Sequence, residues 1–138
     1  MDETPRGAAA VEDLLARDVW AVVGLSDDPR RAAHGVAAFL QARGKRIVPV
    51  HPRAETVHGE KGYPRLSDVP FPVDVVDCFV NSTLVGPVVD EAVTVGASGV
   101  WMQLGVVDDA AADRARQAGL TVVMDRCPKI DWSAHGPR

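Results

Sequence analysis

Apolar residues along the chain collect into five short runs: Val19 to Leu25, Arg46 to Val50, Val73 to Val80, Gly99 to Leu104 and Leu120 to Met124. Within each run the apolar character is nearly continuous rather than alternating, the pattern of parallel strands covered on both faces. The runs start about 27, 27, 26 and 21 residues apart, which leaves room for parallel crossovers and is too wide for hairpins.

Between the runs the spacing becomes helical. Val36, Phe39 and Leu40 share one face ahead of Gly44, and Val85, Val88, Val89 and Ala92 share another ahead of Gly96. Pro87 falls in the first turn of the latter helix, where a missing N–H costs little. Asp108 or Asp109 caps a third helix through Ala111, Ala115 and Ala118, which Gly119 ends. A helix through Val11, Leu14 and Leu15 precedes the first strand. The second crossover, His51 to Pro72, holds four prolines and one short helical stretch at Leu66 to Val69, and so reads mostly as loop. Asp2 to Ala8 and Ser133 to Arg138 read as frayed ends around a core of about residues 9–132. No repeat, low-complexity tract or interdomain linker stands out.

This alternation predicts an α/β fold: a doubly wound, five-stranded parallel sheet with helices on both faces, most simply in the order 3-2-1-4-5. Ligands of such sheets bind beyond the carboxyl ends of the strands where the winding reverses, here between the first and fourth strands. The functional loops are then Gly24 to His34, His51 to Gly62, Phe79 to Thr83, Gln103 to Val107 and Asp125 to Lys129.

The length, 138 residues with 46% hydrophobic content, suits one domain with one substantial core. With 15 basic and 19 acidic residues, a net charge of -4, the chain lacks the electrostatic footprint of a partner for nucleic acid or an anionic membrane. No apolar run approaches the roughly 20 residues of a membrane span, and Met1 to Ala10 lacks the layout of a secretory signal, so a cytoplasmic location is expected. Cys78 and Cys127 are too few and too far apart for a zinc site or a disulfide framework, and read as reduced thiols.

The first loop, Gly24-Leu25-Ser26-Asp27-Asp28-Pro29-Arg30-Arg31, joins a strand to a helix. Backbone N–H groups at the helix start, a serine hydroxyl and an arginine together suit a pyrophosphate there; a capped turn without a ligand is the alternative. A nicotinamide-binding domain would show Gly-x-Gly-x-x-Gly at this place and an acidic residue ending the second strand, but that strand ends in Val50-His51-Pro52. The Walker pattern is also missing. His34, His51, His58 and His135 show neither metal-ligand spacing nor a nucleophilic triad, and all but His51 read as surface or loop residues. Trp20 and Trp101 read as packing on the sheet, Trp132 as a seal on the C-terminal end, and the Asp108, Asp109 and Asp113 group as helix capping and solvated surface.

Taken in order, the segments resemble the small CoA-binding proteins related to the CoA-binding domain of the succinyl-CoA synthetase alpha subunit. The resemblance rests on Ala21-Val22-Val23-Gly24-Leu25-Ser26 with Pro29 and Arg31, Ile47-Val48-Pro49-Val50-His51-Pro52, and Gly59-Glu60-Lys61 with Tyr63-Pro64. It continues through Val73-Asp74-Val75-Val76-Asp77 with Phe79, Trp101-Met102-Gln103-Leu104-Gly105-Val106 and Val123-Met124-Asp125-Arg126-Cys127. It implies a Rossmann-like fold that binds coenzyme A or an acyl-CoA. Carried over, it implies that Gly24, Ser26, Pro29 and Arg31 surround the phosphates, and that His51 and Pro52 border the adenosine. Phe79 and Asn81 would line the middle of the ligand, with Gln103, Leu104 and Gly105 closing the site. Relatives often carry Lys where Asp28 stands and arginines where Val80 and Asn81 stand, which implies a weaker hold on the phosphates here. Cys127 has two readings: a small apolar residue packing the end of the sheet, or an accessible thiol able to form a mixed disulfide with the CoA thiol if Arg126 points toward it.

The leading functional expectation is a non-catalytic CoA or acyl-CoA binder acting as carrier, sensor or regulatory partner. The alternative is an accessory subunit of an acyl-CoA ligase or transferase that acts with another chain. A nicotinamide-dependent oxidoreductase is disfavoured by the first loop and the second strand.

Overall fold

Five strands pair in parallel through an unbroken ladder: β1 (Val19–Val23), β2 (Arg46–Val50), β3 (Val75–Cys78), β4 (Gly99–Met102) and β5 (Thr121–Val123). The computed structural model describes residues 5–138. Five helices accompany the strands: α1 (Ala8–Leu15), α2 (Ala32–Ala42), α3 (Val85–Thr94), α4 (Asp109–Gln117) and α5 (Pro128–His135). The sheet is a Rossmann-like, doubly wound α/β architecture, as the spacing of apolar runs predicts.

The strand order is β2-β1-β3-β4-β5, not the expected 3-2-1-4-5. Two facts account for the difference. Beyond β2, the chain folds back so that Tyr63 pairs with Val50, the His51 N–H donates to the Tyr63 carbonyl at 3.0 Å, and the Tyr63 N–H donates to Pro49 at 2.9 Å. The outer side of β2 is thereby occupied near its carboxyl end. β1 takes β3 on its free side, with Trp20 opposite Val75 and Val22 opposite Asp77, and all four residues of β3 are buried there. The winding consequently reverses between β1 and β3, not between the first and fourth strands.

Alternate strand residues feed two cores, as the twofold period of a strand requires. One face, through Ala21, Val48, Val76, Val100 and Val122, packs under α3, α4 and the loop bearing Leu66 and Val73. The other, through Trp20, Val22, Ile47, Val75, Trp101 and Val123, packs under α1, α2 and α5. Trp20 and Trp101 lie with ring centroids 5.7 Å apart, fully buried, their indole N–H groups donating to the Arg17 and Arg126 carbonyls.

Most local expectations hold, and their exceptions have local causes. Leu66–Asp68 is a single 3-10 turn. Asp108, rather than Asp109, caps α4 by accepting the Ala111 N–H at 3.0 Å. In that helix Ala112 is buried and Ala118 is an exposed C-cap. Ser133 to His135, expected to fray, continue α5, because Asp131 is gripped by Arg126 and His135 lies 3.6 Å from Glu12 of α1. Ala8 likewise opens α1, while Asp2 to Thr4 of the expected frayed start lie outside the described residues. Trp132 is half-buried and meets Phe39 of α2 edge-on at 6.0 Å. No helix among the described residues is long and apolar enough to cross a membrane.

Candidate ligand-binding site

A cleft of about 990 Å³ runs along the carboxyl ends of the strands, lined by residues that follow each of the five. Gly24, which follows β1, sits at φ 99°, a left-handed conformation that favours glycine. A side chain there would also run into the Phe79 carbonyl. This close approach keeps the β1 and β3 loops together at the reversal point.

Of the residues expected to form the site, Gly24, Ser26, Arg31, His51, Pro52, Phe79, Asn81, Gln103 and Leu104 line the cleft. Pro29 and Gly105 do not. Pro29 is exposed on the turn whose Asp28 carbonyl accepts the Arg31 N–H. Gly105 braces the rim: its N–H donates to Asp125 at 2.7 Å and its carbonyl accepts from the Ser82 hydroxyl at 3.1 Å. Asn81 works in part as a turn former, its Oδ1 accepting from both the N–H and hydroxyl of Thr83.

The structure adds residues that the sequence reading left out of the site. Arg30 and Arg53 join Arg31, so three guanidinium-bearing residues and the start of α2, at Ala32 and Ala33, surround the β1 and β2 end. The first N–H groups of a helix have no partner within the helix, and they favour an anion. A chain of net charge -4 thus concentrates positive charge at one place. Two of the arginines have carboxylate partners: Arg30 pairs with Asp28 and Arg53 with Glu55 at 3.3 Å. The hydrogen bonds from Arg30 hold the Asp28 carboxyl below the ordinary carboxylate range. Arg53 was legible as a cation in the loop after the second strand; its direction was not.

Apolar side chains line the cleft beneath and beyond these arginines: Val23, Val36 and Val50 on the β1 and β2 side, Phe79 and Val80 after β3, and Val106 after β4. Gln103, 7% exposed, presents a buried Oε1 with no hydrogen-bond partner, and Cys127 lies at the β5 end. Arg126 does not turn to that thiol; its guanidinium holds Asp131 by two bonds of 2.7 and 2.9 Å.

His34 and His58, expected as surface or loop residues, pack with ring centroids 4.3 Å apart. His58 Nε2 lies 2.8 Å from the His34 carbonyl, fastening the β2 loop to the start of α2. His51 is held by its Nδ1, which accepts the Arg53 N–H at 3.2 Å. The sequence alone carried no signal for the His34–His58 pair.

Known proteins share this architecture. The uncharacterized protein YneT of Bacillus subtilis is 35% identical over 123 residues, covering 88% of this chain and 91% of its own. The solved structure of a hypothetical protein from Pyrococcus horikoshii superposes with a TM-score of 0.88 at 34% identity, covering 98% of this chain and 99% of the other. The alpha subunit of the ADP-forming acetate–CoA ligase II of Pyrococcus furiosus is 32% identical over 81 residues, 58% of this chain but only 18% of the subunit. The family described as CoA binding domain matches residues 18–133, and with that match over most of its length the chain belongs to the CoA binding domain family.

Proposed function

We propose that this chain binds coenzyme A or an acyl-CoA along the carboxyl edge of its sheet and does not itself transform it. The observation that carries the reading is the chemistry along the cleft: arginines and a helix start at the β2 and β1 end, an apolar lining that runs from Val23, Val36 and Val50 there through Phe79 and Val80 after β3 to Val106 after β4, and an unpartnered amide oxygen at Gln103. That chemistry matches a phosphorylated nucleotide joined to a largely apolar, amide-bearing arm. From β2 to β5 the sheet takes four inter-strand steps, roughly 19 Å at the usual spacing, suited to an extended ligand.

In this reading Gly24, Ser26 and Arg31, joined by Arg30 and Arg53, hold the phosphates, while Pro29 shapes the turn. His51 and Pro52 border the adenine and ribose. Phe79 and Asn81 flank the arm, and an arm amide N–H donates to Gln103 Oε1, relieving the cost of a buried unpaired acceptor. Leu104 closes the site, with Gly105 bracing its loop. The lining supports binding without turnover: its one carboxylate, Asp28, is tied to Arg30, and His51 and Cys127 follow strands four positions apart. A nucleophile and its base must come within about 3 Å.

A second reading, an accessory subunit of an acyl-CoA ligase or transferase, draws on the similarity to the ligase alpha subunit. Exposed Leu84, Leu104 and Val107 lie on the two loops that Ser82 ties together at the cleft rim, where another chain would approach. Calorimetric titration with CoA, acetyl-CoA, NAD and ADP tests the main reading. Saturable binding of the first two, with NAD far weaker, is expected; equal or preferred binding of NAD would overturn it. Thiol release from acetyl-CoA by the chain alone would overturn the non-catalytic part.

A further inference from the structure

Two features stand together at the far end of the cleft, one a thiol that the binding reading leaves without a role. Cys127, itself 7% exposed, contributes to the lining, and Gln103 in the same lining keeps a polar atom without a partner although the residue is more than nine-tenths buried. The unpartnered oxygen marks this end as built for a polar group brought by a ligand. The arginines mark the opposite end as the place of the phosphates, so a ligand lying along the edge carries its tail toward β5. Cys127 is also the N-cap of α5, where no side chain caps the first-turn N–H groups and Pro128 has none to offer. Those dipoles favour negative charge at that place.

We infer that Cys127 is an attachment point for oxidised coenzyme A: a CoA disulfide bound in the cleft exchanges with this thiol and leaves a protein–CoA mixed disulfide. The inference rests on the reading of the cleft as a CoA site. In the exchange, Cys127 loses its proton and its sulfur attacks one sulfur of the CoA disulfide. The new sulfur–sulfur bond forms as the old one breaks, and the second CoA leaves as a thiolate that takes up a proton. The oxidising equivalent comes from the CoA disulfide, and the total number of disulfides does not change. Cys78 is no competitor. It is fully buried and does not line the cleft, and burial, with Asp77 beside it, pushes its thiol far up.

The test is to incubate the full chain with CoA disulfide or with glutathione disulfide and to follow intact mass, with peptide mapping of the product. One CoA per chain is expected on Cys127, removed by dithiothreitol and absent from Cys127→Ser. Binding places the reacting sulfur at high effective concentration, so the CoA adduct should form roughly tenfold or more faster than the glutathione adduct. Adenosine 3′,5′-bisphosphate should slow the CoA reaction alone. If CoA titrates into the cleft but no adduct forms, or forms no faster than with glutathione, this inference fails by itself. If CoA does not bind at all, the underlying reading fails and this one with it.

Discussion

The Asp28 carboxylate is gripped by Arg30 through two parallel bonds, Nε to Oδ1 and Nη2 to Oδ2, both 3.1 Å, while the Arg30 backbone N–H donates to the same Oδ1 at 3.0 Å. The carboxylate occupies the fork that a ligand phosphate would need, since Arg guanidinium groups receive both anions in the same bidentate way. In the proposed CoA site, Asp28 would act as an internal competitor and not only as a missing cation.

Asp28→Asn should therefore tighten CoA binding. Arg30 is exposed and Asp28 half-buried at the surface, so the gain is modest, roughly two- to fivefold in Kd at low salt, and it should shrink as salt screens the charges. Titration of wild type and variant at low and high ionic strength measures it; an unchanged Kd at low salt would show that Arg30 does not face the phosphates.

Arg31 has no carboxylate within ion-pair distance among the described residues, whereas Arg30 and Arg53 each have one. Its guanidinium is not held in an ion pair, although its charge helps to lower the Asp28 pKa. Arg31→Ala should weaken CoA roughly ten- to a hundredfold, the scale of a lost charge-assisted hydrogen bond, and Arg53→Ala should weaken it less. The ranking of the two Kd values decides the matter.

Gly24 combines φ 99° with a side-chain position already filled by the Phe79 backbone. Gly24→Ala should lower both CoA affinity and unfolding free energy, the latter by about 1–3 kcal/mol for backbone strain of this kind. Urea denaturation and CoA titration of one preparation test both effects. Lost affinity at wild-type stability would mean that the two loops yield without strain.

Asp77 is fully buried in β3, and neither carboxylate oxygen has a hydrogen-bond partner. Desolvation raises its pKa well above the ordinary value, so the folded state holds this proton where the unfolded state releases it. Below the unfolded pKa of about 3.9 both states are protonated and the group costs nothing through linkage. Above it, stability falls by about 1.4 kcal/mol per pH unit until the folded pKa is reached. Asp77→Asn removes the titration, so its advantage in Tm over wild type should be small near pH 4 and grow toward pH 7. An advantage independent of pH would contradict the assignment.

Cleft residues were legible to different depths. Gly24, Ser26, Arg31 and His51 stand out because a strand-to-helix turn and a strand end have short-range signatures. Arg30 and Arg53 lie in the same loops but needed coordinates, since a guanidinium's direction depends on its partners. The pairing of His34 with His58, 24 residues apart, left no local trace.

What this sequence determines by itself is the number of strands, their parallel character and the loops that gather at their carboxyl ends. Those follow from runs of apolar residues and from the glycines that stop each intervening helix, interactions within a few residues of one another. Only the tertiary structure decides which strand lies beside β1, because that choice is made by ladder pairing between residues more than fifty positions apart, with Trp20 opposite Val75 and Val22 opposite Asp77. The same holds for α5, whose last turn is ordered by contacts with α1, and for Asp77, whose pKa is raised because the helices on both faces and the neighbouring strands β1 and β4 exclude water from it.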